Sequence, residues 1–356
     1  MDHVAGVDTH KDTHVIVIID GVGKLVRALS VPATSSGYRR AISVASELGG
    51  TLAWGLESTG CYGASFARKL TDAGFDVFEV PGSFTKRHRL RSSRTGKSDT
   101  LDAQAIAEAV LRERDRLPRY TYSAQREGIR LRFEQRDRLV RHRTEAINRL
   151  RSAALQLDLC DLPREIGSEV GLATTEKLFD KVPAVDIAAE ALQDDAKFAI
   201  EDIRRINQRI KKIERLLRPL MRRVVPDLLE LRGVSTVVAA ALFGHAGDMR
   251  NCRDADAFAM RAGTAPVSCS SGKHWAVRVN TGGNRQLNRM LHVIALVQAR
   301  SENHAGRIYY DRKRAEGKTH QAALRALKRK LSVVVFYKLI VAQAAISDPR
   351  VDTEAA

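Results

Sequence analysis

"HVAGVDTHKDTHVIVIID", residues 3–20, decides the fold. Two apolar runs, His3–Asp8 and His14–Asp20, flank the polar "THKDT", so the stretch reads as two strands paired in a hairpin. Beyond it, "VPATSSGYRRAISVASELGG" (31–50) opens with turn residues and becomes an amphipathic helix stopped at Gly49-Gly50. "TLAWGLES" (51–58) is another strand, with Glu57 at its end. "GCYGASFARKLTDAG" (60–74) is a helix closed by Gly74, and "FDVFEVPG" (75–82) is a strand. Short apolar strands alternating with helices give an α/β domain.

Residues 83–98, "SFTKRHRLRSSRTGKS", then place Lys86, Arg87, Arg89, Arg91, Arg94 and Lys97 together without an acid. A helix follows, "KSDTLDAQAIAEA" (97–109), with Asp99 and Asp102 in its first turn. One reading is capping, with Asp99 as N-cap and Asp102 facing the helix dipole. The other is a metal site, because residues i and i+3 share a helix face. Asp8 and Glu57 supply the missing partners, since each finishes an apolar strand at the sheet edge where α/β folds place their sites. Four clustered carboxylates repel unless a cation neutralises them. Magnesium, with its octahedral oxygen shell, suits such a cluster. Two such ions can stabilise the attacking and leaving oxygens of a phosphodiester displacement.

Composition agrees with a polyanionic partner. The 356-residue chain has a formal net charge of +17, which favours nucleic acid. No apolar run approaches the ~18 residues of a membrane span, and the N-terminal residues show no signal-peptide pattern, so none is expected. Cys61, Cys160, Cys252 and Cys269 form no CxxC pair, which fits a reducing cytoplasm. A cytoplasmic protein on the bacterial nucleoid is expected.

From about 120 to 223 the pattern turns helical. Ile203, Ile206, Ile210, Ile213, Leu217 and Leu220 form an a/d seam, and Ile147, Leu150, Ala154 and Leu157 a shorter one. A helical hairpin and an intermolecular coiled coil both satisfy this pattern. Residues 203–223 hold nine Lys or Arg against Glu214 alone, which favours phosphate contact over a solvated face. Arg204, Arg205, Arg209, Lys211 and Lys212 are the candidates there. Farther on, "LRGVSTVVAAALFGHAGD" (231–248) reads as a Gly-turned helical hairpin. "AGTAPVSCSSGKHWAVRVNTGGNRQLNRMLHVIA" (262–295) contains a Ser-rich Gly loop, with Lys273 as a further nucleic-acid contact. Residues after Ser347 read as a frayed tail.

"GVDTHKDTH", "LESTGCYG" and "KSDTLDA" resemble the D, E and D-x-x-D motifs of the DEDD insertion-sequence transposases, the IS one-ten family. Pro266, Ser271-Gly272, Gly283-Asn284 and Leu287 resemble that family's second conserved region. The resemblance implies a RuvC-like (RNase H-type) N-terminal domain (1–115), a coiled-coil helical middle (116–223), a mostly α-helical, serine-bearing transposase domain (224–345) and a tail (346–356). It implies that Asp8, Glu57, Asp99 and Asp102 hold magnesium and that Lys11 matches the lysine of the first motif. It makes Ser271 the nucleophile, although Ser268 and Ser270 lie close by. It also implies a guide (bridge) RNA that pairs with donor and target DNA, a serine–DNA covalent intermediate, and a homo-oligomer between dimer and tetramer. Two alternatives remain open: a metal-dependent nuclease or junction resolvase using water, and a nucleic-acid-binding protein whose acids are structural.

Overall fold

The computed structural model describes residues 2–82, 85, 98–271 and 274–346. The chain divides into two compact units, Met1–Ser123 and Ala124–Ala356.

The first unit contains β1 (His3–Thr9), β2 (Thr13–Asp20), β3 (Leu25–Pro32), α1 (Ser35–Glu47), β4 (Leu52–Leu56), α2 (Ala64–Asp72), β5 (Asp76–Glu79) and α3 (Asp99–Glu113). The sheet order is β3-β2-β1-β4-β5. The expected hairpin forms, running from His3 opposite Asp20 to Thr9 opposite His14. β4 and β5 then add in parallel on the other side of β1. The sequence reading passed over β3. Of its residues only Val31 is buried, so this edge strand carries too little apolar alternation to be recognised.

Strand alternation sorts the residues onto two faces. Ala5, Val7, Ile16, Ile18, Trp54 and Leu56 pack under Tyr38 of α1 and Phe66 and Leu70 of α2. Val4, Val17, Ile19, Ala53 and Phe78 pack against Ala103, Ile106, Ala107 and Val110 of α3. The same period puts Gly6 and Asp8 on the α3 side of β1, and Gly55 and Glu57 on the α3 side of β4. Gly6 and Gly55 are direct neighbours in the parallel register, and α3 rests on both. A Cβ on Gly6 would lie 2.1 Å from the Ala103 carbonyl oxygen and 2.4 Å from the Ala107 nitrogen. A Cβ on Gly55 would lie 2.5 Å from Val110 Cγ2. This glycine seat sets the height of α3 above the sheet, and so the distance of its first-turn acids from the strand ends. Overpacking typically costs about 1–3 kcal/mol, and backbone atoms of α3 have little room to yield. Gly6→Ala is therefore expected to lower stability by at least that amount, measured as a lower urea midpoint at constant slope. An unchanged midpoint would mean that the helix slides aside freely.

The second unit contains α4 (Ala124–Gln156), α5 (Glu169–Phe179), α6 (Ile187–Val224), α7 (Pro226–Leu229), α8 (Thr236–Ala246), α9 (Ala255–Arg261), β6 (Val267–Ser271), β7 (His274–Arg278), α10 (Arg285–Arg300), α11 (Ala305–Ala315) and α12 (His320–Ile346). The two long middle helices, α4 and α6, pair with each other inside the chain. Arg136 Nε donates to Glu214 Oε1 at 2.9 Å and Arg143 Nη1 to Asn207 Oδ1 at 3.0 Å, so the two run antiparallel. Ile203, Ile210, Ile213 and Leu217 of the seam are buried, while Ile206 and Leu220 are half-buried. α5 sits inside the segment read as a connector; Ser168 caps it, its hydroxyl accepting from Gly171 N at 3.0 Å. Flanking Pro163 and Pro183 hid that helix in the sequence. One core joins Phe133 of α4, Leu217 and Met221 of α6, Phe243 of α8, Leu291 and Ile294 of α10 and Val335 of α12. The C-terminal region is mostly helical, as expected. Its Ser-rich segment is an antiparallel strand pair rather than a loop, with Val267 opposite Arg278 and Ser271 opposite His274. No described helix is long and apolar enough to cross a membrane. The expected tail lies outside the described residues.

Candidate active site

The site lies in the first unit, where β1, β4 and α3 meet. Asp8 is the penultimate residue of β1, on the α3 face, and its side chain is 14% exposed. The N-cap of α3 is Ser98, whose hydroxyl accepts from Leu101 N at 3.3 Å. The capping reading of Asp99 is thereby corrected: Asp99 is the first helical residue, and its carboxylate is left for other work. His10 Nε2 lies 3.2 Å from Asp8 Oδ2 and 3.5 Å from Asp99 Oδ2. Asp8, His10 and Asp99 each offer a ligand atom, all within 4.8 Å of one another.

Glu57 follows the last residue of β4, just before Ser58, which takes a left-handed φ of 54°. Thr9 Oγ1 donates to the Glu57 carbonyl at 3.2 Å, which ties the two strand ends together. The Thr85 hydroxyl donates to Glu57 Oε1. Burial pushes the Asp8 carboxyl above its ordinary range, His10 opposes that, and Asp99, Asp102 and Glu57 add to the upward push. Three of the four expected acids therefore act electrostatically on the fourth, Asp8.

Such a set fits a divalent cation. The carboxylate oxygens suit magnesium or manganese, whereas an imidazole nitrogen suits softer divalent ions, and a half-buried carboxylate among like charges gains when a cation neutralises it. Mg2+ or Mn2+ is therefore expected to raise the melting temperature. An ion at a hundred times its dissociation constant adds about 2.7 kcal/mol. Asp8→Asn is expected to abolish most of that shift, and an equal shift in this variant would place the ion elsewhere.

The sequence reading missed His10. Its signal was position: two residues after Asp8, at the mouth of the hairpin. Lys11 is exposed in that turn. Lys86, Arg87, Arg89, Arg91, Arg94, Lys97 and Lys273 lie outside the described residues. Arg204 is engaged inside its own unit, donating to Glu176 Oε2 at 2.7 Å and to Glu169 Oε1 at 3.1 Å, so it fastens α5 to α6. Arg205 pairs with Asp202 at 3.6 Å, while Arg209, Lys211 and Lys212 are exposed. Ser271 ends β6 in the second unit.

Comparison with known proteins agrees with the motif pattern. Residues 5–158 match the DEDD transposase model of the IS110 group, and residues 226–311 match the model described as "Transposase IS116/IS110/IS902 family". The chain belongs to the IS110 family of insertion-sequence transposases. It is 27% identical to the insertion element IS900 uncharacterized 42 kDa protein of Mycobacterium paratuberculosis, over 93% of this chain and 94% of that one. It is 26% identical to the transposase for insertion sequence element IS1328 of Yersinia enterocolitica, over 70% of this chain and 72% of that one. Among solved structures, T. thermophilus RuvC in complex with Holliday junction substrate matches with a TM-score of 0.28 and 13% identity, over 34% of this chain and 100% of that one. In this IS110-family chain the first model spans Asp8, Glu57, Asp99 and Asp102. The second spans Ser271 and Gly283-Asn284.

Proposed function

We propose that this IS110-family transposase cuts and exchanges DNA strands under the direction of a guide RNA, through a covalent link between Ser271 and a DNA phosphate. The observation that carries the reading is the convergence of Asp8, Asp99 and His10, with Glu57 and Asp102 in electrostatic reach, at the open ends of β1 and β4. We assign Asp8, Glu57, Asp99 and Asp102 as holders of magnesium, in a RuvC-like domain. When bound, the ions would stabilise charge on the attacking and leaving oxygens. The chain's own part is to fix those ligands: Gly6 and Gly55 seat α3, Ser98 caps it, and Thr9 ties the two strand ends together.

In the strand transfer, the Ser271 hydroxyl oxygen forms a bond to phosphorus while the bond from phosphorus to a deoxyribose oxygen breaks. The hydroxyl proton goes to a base, and the leaving oxygen takes up a proton. A serine hydroxyl is a weak nucleophile without such help. The acids and Ser271 belong to different compact units, so the reaction needs both brought to one phosphate, within the chain or between copies in an oligomer of two to four. The α4–α6 pair, as a coiled coil, is the element proposed to organise those copies. The RNA and both DNAs account for the charge of +17, and exposed Arg209, Lys211 and Lys212 are proposed phosphate contacts.

The test is a denaturing gel of the protein mixed with labelled element-junction DNA, the noncoding RNA from the element's end, and magnesium. A retarded covalent band that needs both RNA and magnesium is the expected result. One observation favours a second reading, a nuclease that uses water: the acid cluster is complete within the first unit. Magnesium-dependent nicking with no retarded band would decide for it.

A further inference from the structure

We propose that the groove formed by the β6–β7 hairpin, α10, α11 and α12 holds the backbone of the DNA strand that is cut; the assignment rests on the strand-transfer reading above. The groove encloses about 1310 Å³ and takes its walls from Pro266, Val277 and Arg278 of the hairpin region and from residues of α4, α10, α11 and α12. Arg141, Arg278, Arg285, Lys318, Arg325 and Lys330 line it, and all six are exposed. None of the six makes an ion pair with a described residue. The other lining cations are spoken for. Arg289 pairs with Asp137 at 2.6 Å and Arg329 with Asp256. Lys328 Nζ donates to Asn288 Oδ1 at 2.8 Å.

Among the described lining residues Asp137 is the one acid, and Arg289 already neutralises it. An ordinary soluble surface intersperses both signs. Here six cations with no ion pair among the described residues, spread over several elements, line one concavity. A row of phosphates matches that spread, and guanidinium forks suit phosphate oxygens.

The groove is also built to hold its shape. A Cβ on Gly283 would lie 2.2 Å from Gly263 N, so the two backbones touch as only glycine allows. Asn284 caps α10, its Oδ1 accepting from Gln286 N at 3.0 Å and Leu287 N at 3.1 Å, while its own N–H donates to the Arg261 carbonyl at 2.6 Å. The hairpin runs from the groove wall at Arg278, opposite Val267, to its tip at Ser271 and His274. At ~3.3 Å per strand residue, that tip stands roughly 13 Å from the wall. A strand held by the groove would thus enter the reach of Ser271 within a few nucleotides. This continuity with the nucleophile's own hairpin favours DNA over RNA as the occupant.

The test uses the full chain and fluorescent 30-nucleotide probes: single-stranded DNA, duplex DNA and RNA of the same sequence. Affinity is measured across a salt series for the wild type, for the triple variant Arg278→Ala, Arg325→Ala, Lys330→Ala, and for Asp102→Asn. Each lost phosphate contact removes roughly 0.7–0.9 from the slope of log affinity on log salt. The triple variant is expected to lose about 2–3 of that slope on DNA. Asp102→Asn is expected to keep the slope. The charge-conserving variant Arg325→Lys, Lys330→Arg is expected to keep it too, which separates lost contacts from a lost fold. An unchanged DNA slope in the triple variant overturns the proposal. So does a slope lost on RNA alone, which would make the groove an RNA site. A wild type that forms no covalent adduct, beside a triple variant that still loses its DNA slope, sinks the strand-transfer reading and leaves the groove standing.

Discussion

Asp102→Asn is expected to reduce DNA strand cleavage at least about a thousandfold, since a metal-held transition state depends on its ligands for several kcal/mol and each 1.36 kcal/mol is a factor of ten. The substitution keeps the shape of the side chain and removes its charge. Asp102 lies in the first turn of α3, on the side that carries Ala103 and Ile106 into the sheet, and its charge bears on Asp8. RNA and DNA binding are expected to persist nearly unchanged, because the exposed cations of the second unit are untouched. Cleavage and affinity are measured on the same preparation. Loss of both together would make the acids structural and favour a protein that binds nucleic acid without cutting it.

Ser271→Ala is expected to abolish the covalent protein–DNA band, while Ser268→Ala and Ser270→Ala leave it. A nucleophile must meet phosphorus at about 3 Å with its lone pair aligned. Ser271 is the last residue of β6 and pairs with His274, the first residue of β7. Ser271 thus belongs to the last pair of the ladder, and glycine follows it in the sequence. Ser268 is placed within the ladder, opposite Val277, and Ser270 opposite Trp275. A band that vanishes in Ser270→Ala and survives in Ser271→Ala would move the role one residue upstream. Acid-cluster variants should block the same band if the proposed strand transfer holds, since a serine hydroxyl is a weak nucleophile without activation.

Much of this was legible in the residues. The hairpin of residues 3–20, the strand-end positions of Asp8 and Glu57, and the i, i+3 pair on α3 all follow from periods of two and 3.6. What escaped needed three-dimensional knowledge. β3 is an edge strand with little buried surface, so alternation was faint. Ser98 rather than Asp99 caps α3, because both are good caps and neighbours in sequence. His10 joins the site through the curl of a turn, which has no period. The Ser-rich segment pairs as strands although serine and glycine weaken that signal. The charge run read on α6 was partly internal: Arg204 serves Glu176 and Glu169. The groove draws its cations from helices far apart in sequence, so no local window could show it.

The contact of Gly6 and Gly55 with α3 also bears on how such chains can diverge. A larger residue at 6 presses on helix backbone, which no side-chain exchange relieves. A larger residue at 55 presses on the side chains of Val110 and Ile106, which can shrink in compensation. Across relatives, position 6 should therefore stay fixed, while position 55 should drift in concert with 106 and 110. Two adjacent glycines, alike by composition, should leave opposite signatures in an alignment: one invariant, the other covarying.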